Sequence, residues 1–452
     1  MAPINQIPPE ILSLIPDFFV TDDDNDQDLI ALTHVCQAWR DAFVSRPSLW
    51  TDLDYVGLDK TRIYLERSKS SLINLSLDDY FVKFSDPALK LIASTTGRLR
   101  SLEIYAESRN LQLISTCLSR PAPLLKTLSI RSYGGSALPP ALFNGDLSPL
   151  HNLHLEQIDT ELPWRNMANL TSFVMGYKLP PVSVSQLIDF LESAPRLREV
   201  DILSSSPISG ARNGRLVSLA SLQRMNTGGH PSSHLFDHLL IPVGVRLKMG
   251  VAQIPSLTID GRRPRFIDNL GNLSNFTTIK LICKPARMEF SGPNGVVSMV
   301  SQDHRDRSLL EPLALFDTSK TEWLELERGE YRSSNPIYQA LLPMKGLRTL
   351  RFDWNVNFIR ALDPTVSPSG TVVCPILEEL VIVVHWEFDI KDIVRTAVAR
   401  ETGGAKLKTV TIIKEPKIEF PELDVLELGK HVLHVKFDHA SANGGGDSDE
   451  EG

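Results

Sequence analysis

The sequence predicts an α/β chain: a small helical module at the N-terminus, then a long, irregular repeat solenoid with a parallel sheet. Three observations carry that expectation. A short string, apolar-x-x-apolar-x-apolar, recurs from residue 72 to residue 437. Segments with the spacing of amphipathic helices fill several intervals between the copies. Leucine supplies 63 of the 452 residues, and much of it falls at those repeating positions.

Composition narrows the class. An apolar content of 42% excludes a mainly disordered chain. With 26 glycines and 30 prolines the chain is neither collagen-like nor of low complexity. A formal net charge of -8 argues against a dedicated nucleic-acid binder. Cys36, Cys117, Cys283 and Cys374 are too few and too scattered for a disulfide framework, and no CxxC pair suggests a zinc site. The first twenty or so residues lack a basic n-region and are broken by Pro3, Pro8, Pro9 and Pro16, a poor match to a secretory leader. The densest aliphatic run, at 380–384, is far short of the roughly 20 residues of a membrane helix. An intracellular chain, cytoplasmic or nuclear, with neither membrane nor nucleic acid as partner is expected.

The N-terminal module comes first. Residues 7–15 read IPPEILSLI, and Pro8 or Pro9 suits a first helical turn, where a missing N–H costs nothing. Ile11, Leu12 and Ile15 then share a face. An acidic stretch follows, with Asp17, Asp22, Asp23, Asp24, Asp26 and Asp28, and reads as a solvated loop leading into a helix N-terminus. In the second helix Leu29, Leu32, Cys36, Trp39 and Phe43 are spaced 3, 4, 3 and 4, one continuous apolar stripe. Pro47, Ser48, Leu49 and Trp50 form a closing turn. A unit of this size is too small to be robust alone and should lean on a neighbour. Trp39 and Phe43 are expected in its core. Ile7, Pro8 and Ile11 are expected at a partner surface, because an undersized domain leaves apolar area to cover. Cys36 reads as a small packed hydrophobe without an activated thiolate.

These residues resemble an F-box. Ile7-Pro8-Pro9-Glu10-Ile11-Leu12, Leu29 with Leu32, Val35-Cys36-Gln37-Ala38-Trp39-Arg40 and Leu49-Trp50 follow the family's L-P-x-E-[IL]-[IL], D-L, V-C-x-x-W-R and L-W signatures in order and spacing, over residues 5 to about 53. Ile7 replaces the usual leucine, and the acidic insertion is a second departure. The resemblance implies a three-helix adaptor that binds Skp1 and, through it, a cullin-RING ubiquitin ligase. The implied Skp1-binding set is Ile7, Pro8, Glu10, Ile11, Leu12, Ile15, Leu29, Leu32, Val35, Cys36, Trp39, Arg40, Leu49 and Trp50.

Beyond residue 58 the repeat takes over. Copies stand at Leu72-Leu75-Leu77, Leu99-Leu102-Ile104, Leu125-Leu128-Ile130, Leu150-Leu153-Leu155, Leu170-Phe173-Met175 and Leu197-Val200-Ile202. Later copies are Ile254-Leu257-Ile259, Phe276-Ile279-Leu281, Leu347-Leu350-Phe352, Leu377-Leu380-Ile382 and Leu407-Val410-Ile412, with weaker ones at Leu324-Leu326 and Val432-Val435-Phe437. Each string reads as a strand whose alternate residues enter one core. Stacked in parallel, such strands need crossovers, usually helical. Residues 86–96, 111–118, 184–193 and 390–400 have the right spacing, punctuated by Pro87, Pro121 and Pro195. The pattern is similar to a leucine-rich repeat, of the kind that follows an F-box in fungal-type proteins. The asparagine or cysteine that usually ladders the following turn is missing, with Tyr80, Glu107, Tyr133 and Ile158 at or beside its place. Uneven spacing, from 20 to 27 residues among the early copies and 30 in the last three clear ones, adds to the irregularity.

Two stretches break the period. Residues 204–250 are rich in Ser and Gly. Residues 283–320 carry Met288-Glu289-Phe290, then Ser-Gly-Pro-Asn-Gly, then an apolar run at 296–300, which reads as an inserted β-hairpin. A shorter break lies at 363–370. Insertions in repeats map to loops on one face, which is often the binding face. The expected division is therefore 1–58, 59–440 with insertions near 204–250 and 283–320, and a disordered acidic tail at 441–452.

No other constellation carries chemistry. His230, His234 and His238 have helical spacing, but Gly228, Gly229 and Pro231 argue for a loop, and no nearby Cys completes a metal site. The glycine pairs Gly403-Gly404 and Gly134-Gly135 belong to neither a phosphate loop nor a nucleophile elbow. Gly261-Arg262-Arg263-Pro264-Arg265 is a local basic patch, read as a solvated loop or as a dock for an acidic partner. No catalytic residue, cofactor or metal is expected. The resemblance implies a substrate-recognition subunit of a Skp1–cullin–F-box ligase that binds an unknown target protein through its repeats. The alternative is a Skp1-bound or free interaction scaffold outside ubiquitination, and a third reading is an enzyme within 204–320.

Overall fold

The computed structural model describes residues 7, 8, 11, 15, 26–80, 83–137, 142–159, 167–176, 183–203, 215–231, 233–251, 265–284, 286–301, 309–329, 331–366 and 370–439. The expected sites Glu10 and Leu12, the repeat copy at 254–259, most of the acidic insertion, most of the basic patch and the tail at 441–452 lie outside the described residues. The chain is mixed α/β with a mostly parallel sheet, and it divides into two compact units, Met1–Ser209 and Gly210–Gly452.

In the first unit the described elements run α1 (Asp26–Leu32), α2 (Gln37–Val44), β1 (Asp52–Asp54), α3 (Leu58–Arg67), β2 (Ile73–Asp78), α4 (Asp86–Ala93), β3 (Leu99–Glu107), α5 (Ser108–Cys117), β4 (Thr127–Ala137), β5 (Asn152–Asp159), β6 (Ser172–Met175), α6 (Val184–Ser193) and β7 (Glu199–Ile202). Each strand pairs in parallel with the next, from β1 to β7. The register follows the repeat. Leu75, Leu102, Leu128, Leu153, Phe173 and Val200 form one buried row across the sheet, and Leu77, Ile104, Ile130, Leu155, Met175 and Ile202 form the next. A period of two puts both rows on one face, and the crossover helices cover it. Helix α6 keeps the bounds its spacing predicts because Ser183 caps it. The Ser183 hydroxyl accepts from the Gln186 amide at 3.2 Å, and the Gln186 side chain accepts from the Ser183 amide at 3.1 Å.

Two expectations need correction here. Leu72 is exposed, and Ile73 takes the buried place beside Leu99. The pairing slips by one residue between Ile73 and Asn74, so the first copy is one residue shorter than the others. The single second helix is broken as well: α1 ends at Leu32 and α2 begins at Gln37.

The second unit contains β8 (Val217–Ser218), β9 (Arg224–Pro231), α7 (Ser233–Phe236), β10 (Leu239–Leu240), β11 (Arg246–Val251), α8 (Arg265–Asn269), β12 (Thr278–Cys283), β13 (Ala286–Gly292), β14 (Gly295–Ser301), β15 (Trp323–Glu327), α9 (Ser334–Leu341), β16 (Thr349–Asp353), α10 (Val356–Leu362), β17 (Glu379–Val384), α11 (Lys391–Thr402), β18 (Thr409–Lys414), α12 (Glu422–His431) and β19 (His434–His439). From β12 through β15 to β19 the strands pair in parallel, and the weak copy Leu324-Leu326 takes its full place in the register. Ile279, Leu324, Leu350, Leu380 and Val410 make one buried row, and Leu281, Leu326, Phe352, Ile382 and Ile412 the other.

The expected hairpin forms, with β13 antiparallel to β14. It is not a loop laid on a face. Its strands lie inside the sheet, β13 against β12 and β14 parallel to β11. Met288, Phe290, Val297 and Met299 are buried there, so an apolar face on each strand draws the hairpin into the core. The described end of the 204–250 stretch also joins the sheet, through β9 and β11. Gly295 closes the hairpin turn at φ 108°, and a Cβ there would stand 2.7 Å from the Val245 carbonyl oxygen.

Side chains bridge successive turns although the usual asparagine is missing. The Asp79 carboxylate accepts from the Glu107 amide at 2.7 Å and from Asn110 at 2.9 Å. Asp353 accepts from the Arg328 amide at 2.6 Å, and Asn355 donates to the Tyr331 carbonyl at 3.1 Å. These bonds satisfy backbone groups that a parallel ladder leaves open at its ends.

Candidate functional site

The N-terminal module is built around α2. Trp39 and Phe43 stand four residues apart on one face, with ring centroids 5.7 Å apart, and both are buried. Ile7, Ile15, Leu29, Leu32, Cys36, Ala42 and Leu49 pack around them. The four sequence signatures thus supply residues to one cluster, whose members are drawn from 7–15, α1, α2 and the turn at Pro47–Trp50.

The break between α1 and α2 is fixed by hydrogen bonds. The Thr33 hydroxyl donates to the Ile30 carbonyl at 2.7 Å, closing the end of α1. Arg40 Nε donates to the Thr33 carbonyl at 3.0 Å, tying α2 back to the turn. Cys36 is extended, with φ -160°, and starts α2 without a side-chain cap. Its thiol is half-buried against the Trp39–Phe43 pair.

The expected binding residues divide by exposure. Ile11 and Val35 are 52% and 46% exposed, and Pro8 and Arg40 also face solvent. Ile7, Ile15, Leu29, Leu32 and Leu49 are half-buried. Trp39 and Trp50 are inside. Trp50 is fully buried, and its indole N–H donates to the Phe43 carbonyl at 3.0 Å. Its ring meets Tyr64 edge-on at 5.0 Å, and the Arg67 guanidinium lies 4.3 Å over it. Burial holds the Arg67 pKa below the ordinary arginine value. Trp50 therefore belongs to the seam between the module and α3, the neighbour on which the small unit leans. Sequence reasoning missed Thr33, Tyr64 and Arg67. The amphipathic run LDKTRIYLER directly after the closing turn is the signal that could have found the last two.

The other face of the sheet carries charged pairs. In the first unit Arg131 lies between Glu103 at 3.8 Å and Glu156 at 3.6 Å, with His154 3.9 Å from Glu156. In the second, Lys280 binds Glu327 at 2.8 Å and Arg351 binds Glu325 at 3.1 Å. Burial raises the Glu325 carboxyl pKa against the pull of Lys280 and Arg351. Such pairs neutralise one another, so this face offers mixed charge and not a single-signed patch.

No described trio of His, Cys, Asp or Glu side chains is close enough to hold a metal ion. His238 is buried, its ring nitrogen 2.9 Å from the Arg215 carbonyl oxygen, whereas His234 is exposed. Among the described residues no helix is long and apolar enough to cross a membrane. No family model matches the chain. No curated protein matches it at a significant level.

Proposed function

We propose that this chain is the substrate-recognition adaptor of a Skp1–cullin–F-box ubiquitin ligase, with residues 1–58 as the F-box and an irregular leucine-rich-repeat solenoid as the target-holding part. The observation that carries the reading is the gathering of the four F-box-like signatures around one Trp39–Phe43 core, while Ile11 and Val35 of the same signatures stay exposed. Apolar side chains left in water beside a packed core are what a partner helix or loop would cover. In this reading the chain does no chemistry. It raises the local concentration of target lysines near a ubiquitin-charged enzyme.

The test is capture of a purified Skp1-type adaptor by the full chain. Ile11→Glu with Val35→Glu is expected to abolish capture while leaving the unfolding midpoint and circular dichroism unchanged. Undiminished capture by that double variant overturns the assignment. With a purified cullin added to the same assay, capture of Skp1 that leaves the cullin behind would favour the scaffold reading over the ligase.

A further inference from the structure

We propose that α12 and β19 form a two-fold interface with a second copy of this chain. β19 is an edge: it pairs with β18 on one side, and no described strand pairs with the other. Its open amides and carbonyls are a template for another strand. The core is also open at this end. Val435 and Phe437 continue the buried rows that run through Val410 and Ile412, yet Phe437 is exposed. Leu423, Leu426 and Leu433 are 80%, 65% and 61% exposed, and Leu428 is the one residue of α12 that is buried. The terminal unit of a stack needs a polar outer face to stay soluble alone, and in this last described unit that face is interrupted by exposed Leu423, Leu426, Leu433 and Phe437.

Charge selects the occupant. If two β19 strands pair antiparallel about Phe437, each Lys436 stands opposite the Asp438 of the other copy, and the two Phe437 rings meet on the axis. The strand is thus complementary to itself, as an isologous contact requires. The same axis runs the two α12 helices antiparallel. That sets the acidic first turn of one, with Glu422 and Asp424, toward the basic last turn of the other, with Lys430. Residues 440–452 are a weaker candidate, because alanine is their largest apolar side chain and they cannot replace the missing apolar surface.

Sedimentation velocity on the full chain over a hundredfold concentration range tests this. The wild type is expected to be a dimer. Leu426→Glu, Lys436→Asp and Asp438→Lys are each expected to give a monomer with unchanged circular dichroism, and the double swap Lys436→Asp/Asp438→Lys to restore the dimer. A wild type that stays monomeric throughout overturns the proposal, as does a dimer that Leu426→Glu and the single swaps leave intact. Hydrogen exchange gives a second reading: the amides of β19 are expected to exchange more slowly in the wild-type dimer than in the Leu426→Glu monomer, and equal exchange in the two overturns the proposal.

Discussion

The Arg400 guanidinium donates to the backbone carbonyl of Cys374 at 2.9 Å, and its other terminal nitrogen donates to the Val373 carbonyl at the same distance. Arg400 is fully buried. One side chain of α11 thus ties down the irregular segment before β17, where Cys374 itself sits at φ 47°. Burial lowers the Arg400 pKa and pushes the Cys374 thiol up to about 12, so the thiol stays protonated.

Arg400→Ala takes the Arg400 donor from the Val373 carbonyl and leaves the Cys374 carbonyl with the Leu377 amide alone, at 3.0 Å. A buried carbonyl that loses its donor costs about 1–3 kcal/mol, partly offset by no longer burying a cation. A net destabilisation of roughly 2–4 kcal/mol is expected in denaturant unfolding. Arg400→Lys should recover little, because an ammonium cannot reproduce the planar fork that reaches both carbonyls. Full recovery by lysine would show that charge alone matters.

Gly295→Ala puts a methyl group 2.7 Å from the Val245 carbonyl oxygen at a backbone angle that alanine rarely adopts. Strain of this kind costs about 1–3 kcal/mol. A shift of the unfolding midpoint within error would refute the tight approach of the hairpin turn to the 244–245 segment.

Trp50 separates packing from hydrogen bonding. Trp50→Phe keeps an aromatic ring beside Tyr64 but loses the bond to the Phe43 carbonyl, a loss of about 1 kcal/mol. Trp50→Ala empties a fully buried site and should cost about 3–5 kcal/mol. Limited proteolysis near residues 45–57 should accelerate in the alanine variant. Equal effects of the two substitutions would contradict the assignment of most of the energy to packing.

His154 should contribute to acid sensitivity. Burial first, and then the nearby Arg131, hold its imidazole below the ordinary value of 6.5. The unfolded chain therefore binds a proton at mildly acidic pH that the folded chain refuses. The stability it contributes is fully present above pH 6.5 and is lost as pH falls through the lower folded value. In His154→Gln the unfolding midpoint should fall less steeply below pH 6.5 than in the wild type, and an unchanged slope would rule the residue out.

Much of the sheet was legible in the sequence because burial on a strand leaves a local mark. The alternation Leu128-x-Ile130 or Leu380-x-Ile382 names the residues that face the core, and equal marks in successive copies dictate equal register. The α6 helix was legible for the same reason, since Val184, Leu187, Ile188 and Leu191 recur at helical spacing. The clustering of Trp39 and Phe43 with Leu29 and Leu32 followed from spacing too, although the stripe concealed a break. The stripe runs through residues 33–36 unchanged, because a tight turn between two helices returns the chain to the same apolar cluster.

The sequence by itself determined which residues lie in the rows and that neighbouring rows must stack. Tertiary structure alone decided the remainder: the slip that buries Ile73 in place of Leu72, the hairpin drawn into the sheet, Trp50 sealed against Tyr64, and Arg400 spanning two carbonyls. Alternation is written residue by residue along one strand. These four depend on groups that meet from distant positions, Arg400 and Cys374 being 26 residues apart, and no period in a chain records which side chain will arrive beside which carbonyl.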